Sequence, residues 1–403
     1  MDRKKSVFAC VVLVFLSLLA VSSSVGCQTE SGTGASRRPG RTLYVAEAAN
    51  CGGRHPCFAT IQEAVDAAAG QGDLIKVSQG IYTTTAPQVA SIEKSVQLVA
   101  GYQADDWSAR CANAHPAVID AERVPGRRAL FIDGTDVATI TVRGFQIRDG
   151  AAGPPGGGVR VAGGSVVLEE NVVEGCTADA RGGGLFVEDG SVTLTHNTIR
   201  GNVAQYGGGL YVAGGRVVME GNTFSGNVAS PLGGAIAVDG GSVTGVNNLV
   251  VDNAQSGAGV YLSGGTLIAK HWTLVNNGRY GVIADLGIDI NSGSAMLSKS
   301  IVAGHQGGLC GAGAVANQTL FHEVEDPCIA GASCMNNVFG DPKFLNPSAG
   351  DYHISRGSAA VDRAYTIDVV RDMDGDSRPV GAASDLGADE IEPERSFLPL
   401  ILR

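Results

Sequence analysis

Between residues 156 and 262, apolar and polar positions alternate in short segments that recur about every 25 residues. The residue just before one of these segments stands at positions 158, 184, 209, 235 and 259, which gives spacings of 26, 25, 26 and 24 residues. Each repeat unit holds three such segments, which are rich in β-branched residues and separated by Gly, Asn or Asp. These are the signals of strands and turns. No segment has a helical period, so the pattern predicts three short strands per unit.

Strands this short cannot form a stable sheet within one unit, but stacked units would pair each strand with its equivalent about 4.8 Å away. Stacking places equivalent residues in columns, and the columns are uniform in character. Two aliphatic columns are predicted to face the core: Val159, Leu185, Leu210, Ile236 and Val260, and Val161, Val187, Val212, Val238 and Leu262. The sequence therefore predicts an all-β solenoid, a parallel β-helix with about 25 residues per rung, over residues 42–340.

Two further columns consist of asparagine, which tolerates left-handed backbone at turns and can hydrogen-bond from rung to rung. They are predicted to form ladders: Asn171, Asn197, Asn222 and Asn248, and Asn202, Asn227, Asn253 and Asn277. Trp272 takes the next position of the ladder that begins at Asn171.

An open β-helix exposes its core at the ends, and a short helical pattern near the start predicts a cover. Thr60 and Glu63 have the spacing of a capping box, and Ile61, Val65 and Ala68 lie on one face of the segment that follows. A helix from residue 61 to about residue 69 is therefore predicted as the N-terminal cap.

The first 26 residues have the features of an export signal. Two lysines precede a 14-residue apolar run over residues 7–20, which is too short to span a bilayer. Residues 24–27 (SVGC) resemble the bacterial lipoprotein processing site, in which Cys27 would become the lipidated first residue. Ordinary cleavage is the alternative, because Ser24 stands where that pattern prefers Leu. Residues 27–41 are predicted to be a flexible linker. We expect an exported protein that meets a membrane only through such an anchor.

Two repeat motifs connect the solenoid to a known group of proteins. Residues 233–236 (GGAI) and 224–227 (FSGN) match the Gly-Gly-Ala-aliphatic and Phe-x-x-Asn repeats of bacterial surface proteins related to polymorphic outer-membrane proteins. The chain thereby resembles the right-handed parallel β-helix proteins of the pectin-lyase-like superfamily, although several copies depart from these motifs. The resemblance implies a right-handed helix and a place at the cell surface.

The pattern changes beyond about residue 340. Residues 374–379 (DGDSRP) and 385–390 (DLGADE) resemble the tail of surface proteins with a choice-of-anchor domain. This resemblance implies that residues 341–390 form a C-terminal cap with an anchor-like signature. The remaining tail, residues 391–403, is too short to span a membrane.

Composition and charge narrow the function. Glycine accounts for 58 of 403 residues without a Gly-X-Y period, which excludes collagen, and a hydrophobic fraction of 44% is enough for a large core. The net charge of −11 leaves few cations to neutralise phosphates, so nucleic acid is not an expected partner.

One outward-facing column carries the candidate ligand-binding residues. Arg160, Phe186, Tyr211 and Tyr261 are predicted to point to solvent in one line, and aromatic faces beside carboxylates suit sugar rings. The resemblance adds that related enzymes bind polysaccharide on this face. Stacking of the aromatic rings between rungs, which would stabilise the strands, is the competing interpretation.

Carboxylates beside this column raise the question of catalysis. Glu188, Asp239 and Asp285 are predicted to lie two rungs apart, about 9.6 Å, which exceeds the spacing of a retaining pair and is at the far limit for an inverting pair. A lyase would need a base such as Arg160 near carboxylates or Ca²⁺. These four residues form the candidate catalytic set. Avoidance of stacked like charges explains the spacing of the acids equally well.

Export permits disulfides, and the Gly- and Pro-containing loop between Cys51 and Cys57 predicts one. Cys328 and Cys334 repeat that spacing. Three other cysteines have no assigned partner: Cys111, Cys176 and Cys310.

Asp372, Asp374 and Asp376 offer alternating carboxylates, as Ca²⁺ loops do. However, Gly375 follows the second aspartate, whereas an EF-hand places its glycine after the third. Turn formation is therefore favoured over Ca²⁺ binding, and no metal or cofactor is predicted.

Together these features predict an exported, surface-attached β-helix that acts as a non-catalytic binding or structural module, toward polysaccharide or in adhesion. The alternative is a polysaccharide lyase or glycoside hydrolase that uses the four candidate catalytic residues.

Overall fold

The computed structural model describes residues 28–29, 40–153, 155–253, 258–278, 286–366 and 368–391. The predicted export signal, Cys27 and the tail beyond residue 391 lie outside these ranges. Within the predicted linker, Gln28–Thr29 pairs antiparallel with Ala109–Arg110.

The chain forms a right-handed parallel β-helix with strands on three faces, as predicted. The first face comprises Gln88–Ile92, Arg128–Gly134, the start of Val159–Glu169, Leu185–Val187, Leu210–Val212, Ile236–Val238, Val260–Leu262, Leu286–Ile290 and the ends of Ile301–Cys310 and Leu320–Ile329. The second face comprises Thr42–Val45, Cys57–Phe58, Gln71–Ser78, Ser95–Tyr102, Ile140–Arg143, the end of Val159–Glu169, Ser191–Thr195, Arg216–Glu220, Ser242–Val246, Thr266–Lys270, Ser294–Ser298, Ala314–Asn317 and Ser333–Met335. The third face comprises Gly80–Tyr82, Ala117–Asp120, Phe145–Arg148, Val172–Glu174, Thr198–Arg200, Thr223–Ser225, Leu249–Val251, Thr273–Val275, the starts of Ile301–Cys310 and Leu320–Ile329, and Val338–Phe339.

The strand register confirms the two aliphatic columns. Leu185 pairs with Leu210, and Leu210 pairs with Ile236, each one rung apart. Their side chains are buried, as are the members of the parallel column that contains Val187 and Val212. The alternation of the sequence therefore places one row of side chains inside and the next row outside on each strand.

The asparagine ladders are also present. Asn227 donates from Nδ2 to the carbonyl of Ile199 (2.7 Å) and to Oδ1 of Asn253 (2.9 Å), and its own Oδ1 accepts from the backbone N–H of Asn202 (3.1 Å). The ladder that begins at Asn171 repeats these contacts up to Asn248. Each amide thus satisfies backbone groups that the turn leaves buried.

Trp272 interrupts this second ladder and lies fully inside the helix. Gly245 provides room for its ring, because a Cβ atom at residue 245 would lie 2.6 Å from Cζ2 of Trp272. In the same column the neighbouring rungs carry Met219 and Ala269. A small residue thus compensates for a large one on the adjacent turn.

The N-terminal helix spans Ile61–Ala67 and ends earlier than predicted, because Ala68 has an extended backbone. Its capping box is formed: the Thr60 side chain accepts from the N–H of Glu63 (3.2 Å), and the Glu63 carboxylate accepts from the N–H of Thr60 (3.1 Å). Ile61 packs into the core of the β-helix. No described helix has the length and apolar character needed to cross a bilayer.

Smaller elements surround the solenoid. A four-stranded parallel sheet flanks the first face. It consists of Ala151–Ala152, Thr177–Ala178, Val203–Tyr206 and Val228–Leu232. Phe344–Asn346 pairs antiparallel with Asp351–Ile354, and two short 3₁₀ helices lie at Glu47–Ala49 and Pro347–Ala349.

Residues 341–391, the predicted C-terminal cap, pack along the third face. Their apolar residues form one cluster with outward-facing residues of the rungs: Tyr352, Ile354, Ala360, Ala364 and Leu386 with Leu249, Val251, Val275, Ile301, Ala303 and Leu320. The last rung keeps Met335 and Phe339 exposed. We refer to residues 341–391 as the C-terminal strap.

Polar contacts also join the strap to the helix. Arg378 forms a buried ion pair with Glu390 (3.0 Å), and its Nη1 lies 3.2 Å from Nδ1 of His271. Burial, followed by the nearby charges of Arg378 and Lys299, lowers the pKa of His271 to about 3. Lys299 also pairs with Asp368 of the strap.

Candidate functional site

The predicted outward column is continuous in register. Arg160 pairs with Phe186, Phe186 with Tyr211, and Ala237 separates Tyr211 from Tyr261. The structure therefore brings the four predicted ligand-binding residues into one line on the first face.

The predicted exposure of Phe186 and Tyr211 is wrong, because both side chains are only 4% exposed. Their rings stack 5.6 Å apart at 12°, and Tyr206 of the flanking sheet packs on the same cluster. The turn before each strand causes this. Gly182 has a φ of +66°, and a Cβ atom there would lie 2.9 Å from the Cβ atom of Phe186. The chain thus turns closely over the ring, and stacking between rungs is the role that these rings have.

Arg160 and Glu188, two of the candidate catalytic residues, bind each other. The Nη2 of Arg160 lies 2.6 Å from Oε2 of Glu188, and the guanidinium lies over the ring of Phe131 at 5.6 Å. An arginine held in this way stays cationic. As a base for a lyase, Arg160 would first have to leave this pair.

Further along the same face, three tyrosines converge on a shallow depression of about 240 Å³. We call it the tyrosine depression, lined by Arg181, Tyr206, Tyr211, Asp239, Tyr261 and Ser263. The Arg181 guanidinium lies 5.1 Å from the ring centroid of Tyr211, within the range of a cation–π contact. Tyr206 and Tyr261 are half-buried, whereas Arg181 and Asp239 are exposed.

Asp239 is the carboxylate of this depression, and its neighbours keep it ionised. The Oγ of Ser263 donates to Oδ1 of Asp239 (2.7 Å), and the Tyr211 hydroxyl donates to the same carboxylate. The hydrogen bond from Ser263, together with those from Tyr211 and the charge of Arg181, lowers the pKa of Asp239 against a smaller effect of burial. Burial raises the pKa of Tyr211 and of Tyr261, so both rings are neutral at physiological pH.

Asp285, the fourth candidate catalytic residue, lies outside the described residues. The position that follows Tyr261 in the column belongs to Asp289. Asp289 pairs in register with Cys310, and burial raises the pKa of the Asp289 carboxyl. The prediction therefore misplaced the acid of this rung.

Three residues of the depression were not predicted: Arg181, Tyr206 and Ser263. Arg181 and Tyr206 form a parallel bridge, and both stand directly before a glycine triplet in the sequence. Aligning the residue before each triplet would have revealed this pair.

The cysteines divide into bonded and free groups. The predicted disulfide Cys51–Cys57 is present, and so is Cys328–Cys334. Cys111 is also disulfide-bonded. Cys176 is a buried free thiol whose pKa burial raises to about 12, and Cys310 is a partly exposed free thiol.

The aspartates that suggested a Ca²⁺ loop form a turn. One oxygen of Asp372 accepts from the backbone N–H groups of Asp374 (3.0 Å) and Asp376 (2.8 Å), and the other accepts from that of Glu390 (3.1 Å). This carboxylate is therefore engaged by the backbone, as an Asx turn requires.

Comparison with known proteins agrees with the fold. Residues 128–295 match the family model described as the right handed beta helix region. The matched segment contains all the residues of the tyrosine depression. No curated protein matches the sequence. Among solved structures, the crystal structure of pectate lyase Pel9A is similar at 13% identity and a TM-score of 0.45, covering 88% of this chain and 97% of that one.

Proposed function

We propose that the protein is an exported, non-catalytic β-helix that binds polysaccharide at the tyrosine depression. The observation that carries the proposal is the convergence of three tyrosines on one cation and one ionised carboxylate on the outer wall of the helix. A protein with this surface can serve as a binding module or as an adhesive surface component.

The chemistry of the depression suits a sugar ring. Tyrosine has an apolar ring face, on which sugar C–H groups can pack, and a hydroxyl that can hydrogen-bond. The Asp239 carboxylate accepts hydrogen bonds from sugar hydroxyls, and the Arg181 guanidinium donates them. The depression is open and elongated along the rungs, which suits a chain rather than a compact small molecule.

The protonation states favour binding over hydrolysis. Glycoside hydrolysis uses two carboxyl groups, one of which must be protonated. Asp239 is the one carboxylate that lines the depression among the described residues, and its lowered pKa keeps it from donating a proton. Glu188 is held by Arg160. A lyase or hydrolase is therefore the less favoured function.

Export is part of the proposal. Two disulfides among the described residues are typical of proteins that fold in an oxidising compartment. The N-terminal sequence supports secretion, with Cys27 as the candidate site of lipid attachment.

Retention on polysaccharides tests the binding function. Purified protein is run through gels that contain uronate-rich or neutral polysaccharides, and slower migration in at least one of them is expected. Tyr261→Ala should weaken this affinity about tenfold, since one aromatic contact contributes about 1 kcal/mol. Tyr365→Ala is the control, because Tyr365 is 71% exposed and lies on the strap. Equal retention of both variants, or none for the wild type, would refute the proposal.

Cleavage of the same polymers tests the alternative. Reducing ends report hydrolysis, and absorbance of unsaturated products reports elimination. We expect neither. Chain cleavage that is lost in Asp239→Asn would establish an enzyme and overturn the non-catalytic function.

A further inference from the structure

We propose that His353, Asp374 and Asp389 form a site for a divalent transition-metal ion of the zinc class, located on the C-terminal strap. One ligand atom from each residue can be chosen so that all of them lie within 4.8 Å of one another. The site is remote from the tyrosine depression in sequence and does not depend on the proposed carbohydrate function.

The fold brings three separate segments together at this point. His353 lies on the strand Asp351–Ile354, and Asp389 stands near the end of the strap. The carboxylate of Asp389 accepts from the backbone N–H of Ile354 (2.7 Å), which fixes it beside the histidine strand. Asp374 comes from the turn whose carboxylate, that of Asp372, also binds the N–H of Glu390. The backbone therefore positions all three side chains.

The imidazole is oriented as a metal-binding histidine is. Its Nδ1 lies 2.6 Å from Oδ1 of Asp351, and its Nε2 lies 2.8 Å from Oδ2 of Asp374. In metalloproteins a carboxylate commonly holds one ring nitrogen so that the other faces the ion. Asp351 is in that position here and is a positioning residue rather than a ligand.

The charge around the imidazole also favours a cation of higher charge than a proton. Asp351, Asp374 and Asp389 surround a single histidine, and Asp389 is only 7% exposed. The nearest arginine on the strap interior, Arg378, is already paired with Glu390. Three carboxylates and one imidazolium leave a surplus of negative charge that a divalent ion would reduce.

The donor set selects the metal. One imidazole nitrogen and two carboxylate oxygens match the ligands of Zn²⁺, at bond lengths of about 2.0–2.2 Å. Ca²⁺ prefers six to eight oxygen ligands, so a nitrogen donor disfavours it. Binding would displace the proton on Nε2 and replace its hydrogen bond to Asp374 by two metal–ligand bonds.

Calorimetric titration of the chelator-treated, untagged protein with ZnCl₂ and with CaCl₂ tests the proposal. We expect saturable binding of one Zn²⁺ per chain, a rise in Tm with zinc, and much weaker binding of Ca²⁺. His353→Gln should abolish the zinc binding. Asp351→Asn should weaken it about 10- to 100-fold while leaving the stoichiometry unchanged, as expected when an orienting carboxylate is lost.

His322→Gln is the matched control. His322 also lies between two carboxylates, but its Nε2 is 3.8 Å from both Glu323 and Asp341. This variant should bind zinc like the wild type. Because a strap variant could fail to fold, Asp374→Asn provides a second test at a half-exposed ligand, with the circular dichroism spectrum as the check of folding.

Three results would overturn the proposal. The first is no saturable zinc binding to the wild type. The second is equal binding by the wild type and by a folded His353→Gln or Asp374→Asn protein. The third is Ca²⁺ binding as tight as that of Zn²⁺. In each case the cluster would be an ion pair between the imidazolium and its carboxylates.

Discussion

Replacing Asn227 with Ala tests how far the helix depends on its buried amides. The substitution removes the acceptor of the Asn202 N–H and the donor to the Ile199 carbonyl, and it breaks both side-chain contacts along the ladder. The site is fully buried, so water cannot replace the lost partners without opening the turn.

The magnitude follows from these contacts. An unsatisfied buried donor costs about 1–3 kcal/mol, and each further hydrogen bond that is lost costs about 1 kcal/mol. Allowing for some relaxation of the turn, we expect Asn227→Ala to lower the free energy of unfolding by about 3–5 kcal/mol. That is a large part of the stability of a typical domain.

Urea unfolding, followed by circular dichroism, measures this change. Asn291→Ala is the control, because Asn291 is exposed and its replacement should change stability by less than about 0.5 kcal/mol. Hydrogen exchange adds a local measurement: the amide of Asn202 should lose protection first. A change below about 1 kcal/mol for Asn227→Ala, with protection of Asn202 retained, would refute the view that the ladder stabilises the rungs.

Three further predictions concern packing, pH and disulfides. Gly245→Ala should destabilise the fold by about 1–3 kcal/mol through the clash with Trp272, and Trp272→Leu in the same chain should restore part of that loss in a urea titration. The folded-state pKa of His271, about 3, lies below its unfolded value of about 6.5, so its contribution is fully present above pH 6.5 and is lost as the pH falls toward 3. Between pH 7 and pH 4 the wild type should therefore lose about 3 kcal/mol that His271→Asn does not lose; parallel pH profiles would contradict this. Replacing Cys51 and Cys57 with Ser should cost about 2 kcal/mol, since the disulfide closes a short loop, and a smaller change in Tm than the wild type shows on reduction would argue against it.

The rungs could be predicted because the repeat imposes the same environment many times. Val159, Leu185 and Leu210 occupy one column only if the units stack, so each unit tests the alignment of the others. The asparagine ladders were predictable for the same reason, since a turn that needs a buried amide needs it on every rung.

The site was predicted less well because alternation gives the side of a strand but not what covers that side. Phe186 points outward, yet the turn at Gly182 covers it. The column also lost its phase at Asp285: Val260 pairs with Ile288, 28 residues later (288 − 260), whereas the earlier spacings were 24–26. A longer loop in one unit is enough to shift the expected acid from Asp289 to the wrong residue.

The side-on position of the strap has no repeat signature and could not be predicted. Asn247 donates to the carbonyl of Arg371 across 124 residues of sequence, and nothing in either local pattern indicates that contact. The apolar residues Val251 and Ile301 resemble ordinary outward strand positions until the strap covers them.

Because the strap spans several rungs, it changes how the molecule can come apart. In a simple solenoid each turn touches only its neighbours, so the end can fray one turn at a time. Here Leu249, Val275 and Ile301 share one apolar cluster with the last segment of the chain. Those turns and the strap should therefore open as one cooperative block, and during synthesis this half of the protein can lock only after nearly the whole chain has emerged.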